Sequence, residues 1–317
     1  MTETVTEAAG FVAEAVLGLR GRPRTLPCRF LYDAVGSALF EAITLLPEYG
    51  LARADRQILR QHAATIAAML PQPAGIIELG AGSARKTRPL LAAIPGGCDY
   101  AAVDISPAAL RACRRALDQT PGLGKWRGYE KEFLPGLARA VAARQPGQRL
   151  TALFLGGTIG NLSRQEAEAF LRQVHTRLAP SDALLLGTDL EQDPARLLPA
   201  YDDAAGVTAA FNRNLLARLQ RELGARLDPQ GFAHEARWDA GERRIEMHLR
   251  ALGAQEIAVP AADFVCRLAD GETIWTESSY KYEARETRAL GEAAGFEFLA
   301  QWRGEDWPAA ETLFTRR

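Results

Sequence analysis

The run Ile76-Ile77-Glu78-Leu79-Gly80-Ala81-Gly82-Ser83 constrains this chain more than any other stretch. An apolar segment ends in an acid, turns on Gly-x-Gly and gives way to a helical pattern over about 86–94. Glycine belongs where the backbone takes positive φ or approaches a ligand closely. The turn therefore reads as a nucleotide-type loop at the carboxyl end of a first parallel strand. A dinucleotide fingerprint asks for a third glycine where this chain has Arg85. No Gly-Lys-Ser/Thr follows, so the phosphate-cradling P-loop is missing too. An acid before Gly-x-Gly, without pyrophosphate machinery, suits S-adenosylmethionine, which has a ribose, an adenine, an amino acid tail and a sulfonium but no phosphate. On this loop alone, an ordinary strand–helix turn and a relative using another nucleotide both stay open.

The next strand adds weight. Tyr100-Ala101-Ala102-Val103-Asp104 is apolar and ends in an acid 22 residues after Gly82. A carboxylate there can accept from both ribose hydroxyls, donors that otherwise lose their water partners. NAD-binding chains use the same device, so Asp104 indicates a ribose rather than one cofactor.

Around these residues the chain alternates strand and helix. Strand candidates are 75–79, 99–104, 150–155 and 183–188, with helices near 86–94, 107–117 and 164–178. Ser106-Pro107 reads as a cap followed by proline at the first helical position. Ser163 with Glu166 three residues later reads as a capping box. Such alternation predicts a parallel sheet covered on both faces. The rhythm stops after Asp189. Residues 193–226 read as long and helical, and 232–238, 243–252 and 255–259 as strands, with 243–249 alternating in period two. Helix 283–294 and short strands at 296–301 and 311–315 then suggest a closing hairpin. The expected division is a nucleotide-type domain of 55–190 plus 282–317 and a substrate-binding or lid domain of 15–54 plus 191–281.

Composition narrows the function classes. The 317 residues are 47% apolar and 24% charged with net charge −1, so the chain can bury a core and carries no basic excess for nucleic acid. Arg111, Arg114 and Arg115 share a helical segment and read as a solvated face. No apolar run approaches a membrane span. Glu3 and Glu7 near the start do not fit a basic leader segment. Cys28, Cys98, Cys113 and Cys266 are scattered, as reduced packing thiols would be. His62, His175, His234 and His248 show no metal-ligand spacing, so no metal is expected. A cytoplasmic monomer acting on a small molecule is the expectation.

The chain resembles the histidine Nα-methyltransferases of ergothioneine biosynthesis, a family that includes the trimethylating enzyme forming hercynine. The resemblance runs from about residue 25 to the end. Its motifs are Phe30 to Ser37 (FLYDAVGS), Leu46-Pro47-Glu48-Tyr49, Glu78 to Gly82 and Gly157-Thr158-Ile159-Gly160-Asn161-Leu162. They continue with Tyr201-Asp202-Asp203, Phe211-Asn212-Arg213-Asn214, Arg244-Ile245-Glu246-Met247 and Thr276 to Lys281 (TESSYK). The resemblance implies an α/β fold of the class I, Rossmann-like S-adenosylmethionine-dependent methyltransferase type, with an inserted α+β substrate-binding domain. It also implies roles. Tyr32 would lie near the reacting nitrogen, and Asn161 and Tyr201 would hold the substrate carboxylate and amino group. Tyr49, Glu277 and Ser279 would face an imidazole, with Met247 packed against it. Gly80, Gly82, Lys86 and Asp104 would line the cofactor site.

Residue chemistry is compatible with this. Methyl transfer from a sulfonium needs positioning and desolvation more than a strong acid or base, which fits the lack of a catalytic triad. A buried amine near a positive charge loses its proton more readily. Tyrosine and asparagine can accept its remaining N–H bonds, and Glu277 is a natural acceptor for an imidazole N–H. Taken singly, each residue has a plainer reading. Tyr32 and Tyr49 could be core-rim aromatics, Asn161 a cap or turn residue, Met247 core, and Glu277 and Lys86 solvated surface.

Two departures from the family pattern stand out. Gly50-Leu51-Ala52-Arg53 follows Leu-Pro-Glu-Tyr where an aromatic and a proline are usual, implying a smaller, more flexible lining. Glu132-Phe133 stands where an Asp-Phe pair usually reads the adenine. The expected activity is Nα-methylation of L-histidine, up to the trimethylated product. The alternative is the same transfer to another amino acid or derivative, tryptophan-like or a modified histidine. A non-catalytic cofactor-binding module and a nucleotide-dependent oxidoreductase are the readings from other classes.

Overall fold

The computed structural model describes residues 2–317, with side-chain surroundings from Gly10 onward; the side chains of Glu3 and Glu7 lie outside the described ones. Its larger sheet has seven strands, β1 (Ala74–Leu79), β2 (Cys98–Asp104), β3 (Leu123–Glu130), β4 (Arg149–Phe154), β5 (Ala183–Asp189), β6 (Glu297–Arg303) and β7 (Ala309–Thr315). Their spatial order is β3-β2-β1-β4-β5-β7-β6. Strands β1 to β5 are mutually parallel, while β7 runs antiparallel to both β5 and β6. The order reverses between β1 and β4, where an open α/β sheet leaves a crevice at the carboxyl ends of its strands.

The apolar runs of the sequence follow from burial on both faces. Strand β1 is buried along its whole length. Its alternate residues feed two separate cores. Ile76 joins Tyr100, Ala102, Leu91 and Leu185 on one face. Ile77 and Leu79 join Val103, Phe154, Leu171 and Phe314 on the other. The local start signals operate as expected. Ser106 Oγ accepts from the Ala109 N–H, with Pro107 opening helix Pro107–Leu117. Ser163 and Glu166 form a reciprocal capping box on helix Arg164–Arg177. Strand β3 escaped the list of strand candidates because it is an edge strand, half-exposed along its length, with little apolar pattern.

The chain divides into two compact units. One, the sheet unit, is Tyr49–Gln192 with Tyr280–Arg317; the other, the insert unit, is the chain up to Glu48 with Asp193–Ser279. The first crossing, which the sequence reading set at 54/55, falls at Glu48–Tyr49, ahead of helix Gly50–Gln61. That helix buries Leu51, Ala54, Asp55, Ile58 and Leu59 and packs on β7 and on helix Arg88–Ala93.

The insert unit carries a sheet ordered Arg24–Thr25, Thr273–Tyr280, Arg244–Ala251, Phe232–Asp239, and a separate pair, Gln255–Val259 with Phe264–Leu268. The long helix expected over 193–226 is two helices, Pro194–Tyr201 and Val207–Leu223. The break occurs because Asp203 turns back to accept from the Val207 and Thr208 N–H groups, and Gly206 takes φ +73°. Strand Thr273–Tyr280 was not expected, since its Thr/Ser composition reads as surface. It is largely buried, and Thr276 and Ser279 find hydrogen-bond partners within the unit.

Candidate active site

The Gly-x-Gly loop closes over the carboxyl end of β1. Gly80 (φ +72°) and Gly82 (φ +51°) take backbone conformations that side-chain-bearing residues rarely adopt. Asp104, at the end of β2, accepts from the Gly82 N–H at 3.0 Å and from the Ser106 N–H at 2.9 Å. The acid thus fixes the loop as well as facing it, and each carboxylate oxygen keeps a further lone pair for a ligand hydroxyl. Phe133 opens helix Phe133–Ala142, and its ring would lie 3.5 Å from a Cβ on Gly80. Phe154 and Phe170 meet that ring edge-on. Glu132 is exposed at the N-cap of the same helix, where its carboxylate makes no cap hydrogen bond.

Glu78 works beneath the loop. It is fully buried and accepts from Thr87 Oγ1 at 2.7 Å and from Tyr100 Oη. It therefore ties β1 to β2 and to the segment leading into helix Arg88–Ala93. Lys86 Nζ lies 3.1 Å from Asp55 Oδ2 and directly over Gly156, where a Cβ would come within 2.7 Å of the ammonium. Asp55 and Glu311 are, like Glu78, fully buried. Burial alone would lower the Lys86 pKa, but Asp55, Glu78 and Glu311 hold it above its ordinary value. Three ionised carboxylates around one ammonium would leave uncompensated charge in a dry interior. Burial, then the charge of Asp55, pushes the Glu311 carboxyl well above its ordinary value, which favours its protonated form. Asp55 Oδ1 and both Glu311 oxygens find no donor among the described residues. A proton on Glu311 would provide a donor that Asp55 could accept.

Asn161 ends the short turn Thr158–Asn161 at the carboxyl end of β4, beside the reversal in strand order. Thr158 Oγ1 donates to the Leu155 carbonyl at 2.9 Å and anchors that turn. Tyr49 is buried at the N-cap of helix Gly50–Gln61. The residues after it are not the loose lining expected from their small size. A Cβ on Gly50 would come within 2.0 Å of the Trp307 indole, so the glycine admits a bulky neighbour and the helix start is tightly packed.

The insert unit gathers the remaining candidates. Tyr201, the last residue of its helix, shares a 2.7 Å hydrogen bond with Ser279 Oγ. Glu277, on the strand that holds Ser279, is 9% exposed rather than on the surface. Burial first, then the nearby Glu277, pushes the Cys28 thiol up to about 12. Met247 is buried on the neighbouring strand, and its carbonyl lies 3.0 Å from Thr276 Oγ1. Tyr32 caps the turn Cys28–Leu31, with Phe40 and Phe211 edge-on to its ring at 5.6 and 5.5 Å. Asp33, next to it, accepts from the Gly36 N–H at 2.7 Å, from Asn214 at 2.8 Å and from Arg221. Burial pushes the Asp33 carboxyl up, but these three bonds hold it below its ordinary value. They lock the segment bearing Tyr32 to helix Val207–Leu223.

A profile of the family described as "Histidine-specific methyltransferase, SAM-dependent" matches residues 11–316. The chain belongs to this family. Among its relatives, the histidine N-alpha-methyltransferase of Mycolicibacterium smegmatis is 41% identical over 305 residues, 93% of each chain. The protein of the same name from Mycobacterium tuberculosis is 40% identical over 306 residues, 94% of each chain. Ergothioneine biosynthesis protein 1 of Neurospora crassa is 33% identical over 292 residues, which are 88% of this chain and 32% of that protein.

The cofactor of this methyltransferase family is S-adenosylmethionine, and the sheet unit fits it. Of the residues that would hold it, Asp104 could accept from ribose hydroxyls, Phe133 could present an aromatic face, and Lys86 could meet the carboxylate of the amino acid tail. A side chain at Gly80 would be strained by its φ of +72° rather than by Phe133, which stays at ordinary contact distance, and one at Gly156 (φ +79°) would also displace the Lys86 ammonium. Sequence reading found these residues but missed Asp55 and Glu311. The one signal was an acid inside the otherwise apolar and hydroxylic strand Ala309–Thr315. Among the described residues no helix is long and apolar enough to cross a membrane, and no cluster of His, Cys, Asp and Glu could hold a metal.

Proposed function

We propose that the protein transfers the methyl group of S-adenosylmethionine to the α-amino nitrogen of L-histidine, up to three times. One observation carries the reading. Tyr201, Ser279, Glu277 and Met247, four of the seven residues that resemblance assigns to the amino acid substrate, belong to one region of the insert unit, where Tyr201 bonds Ser279 and Thr276, next to Glu277, bonds the Met247 carbonyl. The family match over 11–316 supports it.

When bound, the cofactor would supply an electrophilic methyl on its sulfonium for the deprotonated amine nitrogen, with sulfur keeping the electron pair of the broken carbon–sulfur bond. The chain's own residues position and select. A buried carboxylate at Glu277 accepts the imidazole N–H, and the Tyr201–Ser279 hydroxyl pair adds short polar contacts of fixed direction. An analogue lacking the ring N–H leaves Glu277 unpaired, which costs several kcal/mol in order of magnitude. Met247 supplies an apolar wall. Tyr32, held by its aromatic neighbours and by Asp33, orients the amine, and Asn161 and Tyr49 keep the roles that the resemblance assigns them. Cys28, Cys98 and Cys113 take no part, since burial first of all pushes each thiol up to about 12, where little thiolate forms.

The test is mass spectrometry of the protein incubated with S-adenosylmethionine and an equimolar mixture of the twenty amino acids. A histidine product carrying up to three added methyl groups is expected. A methylated product of another amino acid would replace the substrate, and no product with cofactor still bound would sink the reading.

A further inference from the structure

His234 lies on strand Phe232–Asp239 with its side chain 1% exposed, and both ring nitrogens are engaged. Nε2 is 2.7 Å from the Tyr201 carbonyl oxygen, which can only accept, so Nε2 carries a hydrogen. Nδ1 is 2.9 Å from Asn212 Nδ2. The orientation of that amide is fixed independently. Its Nδ2 also lies 3.0 Å from the His248 carbonyl, and its Oδ1 lies 2.7 Å from Thr276 Oγ1. Flipping the amide would set its oxygen against the His248 carbonyl. Asn212 therefore donates to Nδ1, and the ring is the neutral Nε2–H tautomer. A second proton on Nδ1 would face an NH2 group with no acceptor. Asn212 would have to turn away, losing His248 or Thr276.

We propose that His234 is a positioning residue whose neutral form joins Tyr201 to Asn212, and through Asn212 to the strand bearing Glu277 and Ser279, so that protonating it loosens the grip on the substrate. This rests on the substrate assignment above. The charged groups facing the ring pull both ways. Asp202, 3.9 Å from Nε2, and Asp203 favour a proton; Arg213 on helix Val207–Leu223 opposes it. Across the strand pair His234 meets the apolar Leu249. Burial is the largest influence and holds the ring below its ordinary value, consistent with the tautomer that the hydrogen bonds require.

A glutamine or asparagine amide offers one acceptor and one donor without titrating, so H234Q and H234N can mimic the neutral ring. The experiment measures the histidine KM, kcat and the S-adenosylhomocysteine Kd of wild type and H234Q from about pH 5.5 to 8.5, which brackets a histidine titration. The titration of free histidine is common to both proteins, so the difference between them is the readout. At the alkaline end H234Q stays within about threefold of wild type. On acidification the wild-type KM climbs relative to H234Q by up to about tenfold per pH unit, while kcat and the Kd do not separate. Parallel KM profiles overturn the proposal, as does an equal separation in Kd. If H234Q fails to fold, H234N carries the same comparison.

The substrate assignment fails separately. Y201F and S279A would then leave the histidine KM unchanged at every pH, which removes the link from His234 to substrate. The ligand-free Tm still decides the state of the ring. It falls more on acidification in wild type than in H234Q, and equal falls overturn the neutral tautomer.

Discussion

In the sheet unit, Asp55, Glu78 and Glu311 crowd around one ammonium, Lys86, and the cluster is reconciled by protonation. In the insert unit, His234, Asn212, Thr276, Tyr201 and Ser279 form a chain of neutral donors and acceptors. Both arrangements hold functional side chains by buried polar contacts, and they differ in what they tolerate. A charged cluster adjusts by moving a proton, because each carboxyl can hold one. A neutral chain has one satisfactory arrangement of hydrogens, and a single added proton breaks it. The first suits the binding of a charged cofactor tail. The second suits discrimination among similar amino acids, where a misplaced donor costs affinity.

Substitutions can break this comparison, and the largest effect is expected at Glu277. Glu277→Ala should lower kcat/KM for histidine roughly 100-fold or more while leaving the S-adenosylhomocysteine Kd within about twofold, because the carboxylate serves only the substrate ring. Loss of cofactor binding in calorimetry would sink the division of labour. Asp104→Ala should do the reverse, weakening S-adenosylhomocysteine roughly 10- to 100-fold, the range for losing charge-assisted hydrogen bonds. An unchanged Kd would remove Asp104 from the cofactor site. Gly50→Ala tests packing rather than polarity. The clash with Trp307 should cost about 1–3 kcal/mol in urea unfolding, and a stability equal to wild type would mean that the indole moves at no cost.

The smallest effects sharpen the contrast through pH. Glu311 has a folded-state pKa well above its ordinary 4.5. Its share of stability is complete below that value and is lost as pH rises through the raised one. His234 has a folded-state pKa below its ordinary 6.5, so its penalty is absent above 6.5 and grows as pH falls from there. Thermal melts should therefore flatten on the alkaline side in Glu311→Gln and on the acid side in His234→Gln. At neutral pH, Glu311→Gln should shift the S-adenosylhomocysteine Kd by less than about threefold, since a glutamine matches a protonated carboxyl in shape and likewise presents one acceptor oxygen beside a donor group. A large loss there would mean that Glu311 works as an anion.

Much of this was readable from neighbours in sequence. The strand–Gly-x-Gly–helix pattern, the Ser106-Pro107 start and the Ser163–Glu166 capping box are settled within a few residues, and period-two burial dictates apolar strands on both faces of a covered sheet. The motif Phe211 to Asn214 was visible, but not its division of tasks, with Phe211 against Tyr32, Asn212 to His234 and Asn214 to Asp33.

The sequence by itself determined the doubly wound sheet and the cofactor loop, because backbone turns, caps and apolar period are local physics, while most candidate site residues were named through the family resemblance. Only the tertiary structure decided the protonation states and the packing. Glu311 is pushed toward its protonated form because burial, Asp55 and Glu78, brought together from distant segments, outweigh the opposing charge of Lys86. Gly50 becomes a close contact because Trp307 arrives from the far end of the chain. His234 becomes a neutral hinge because Tyr201, 33 residues before it, and Asn212, 22 before it, present one acceptor and one donor. Desolvation and hydrogen-bond direction depend on what surrounds a group in space, and spacing along the chain does not carry that information.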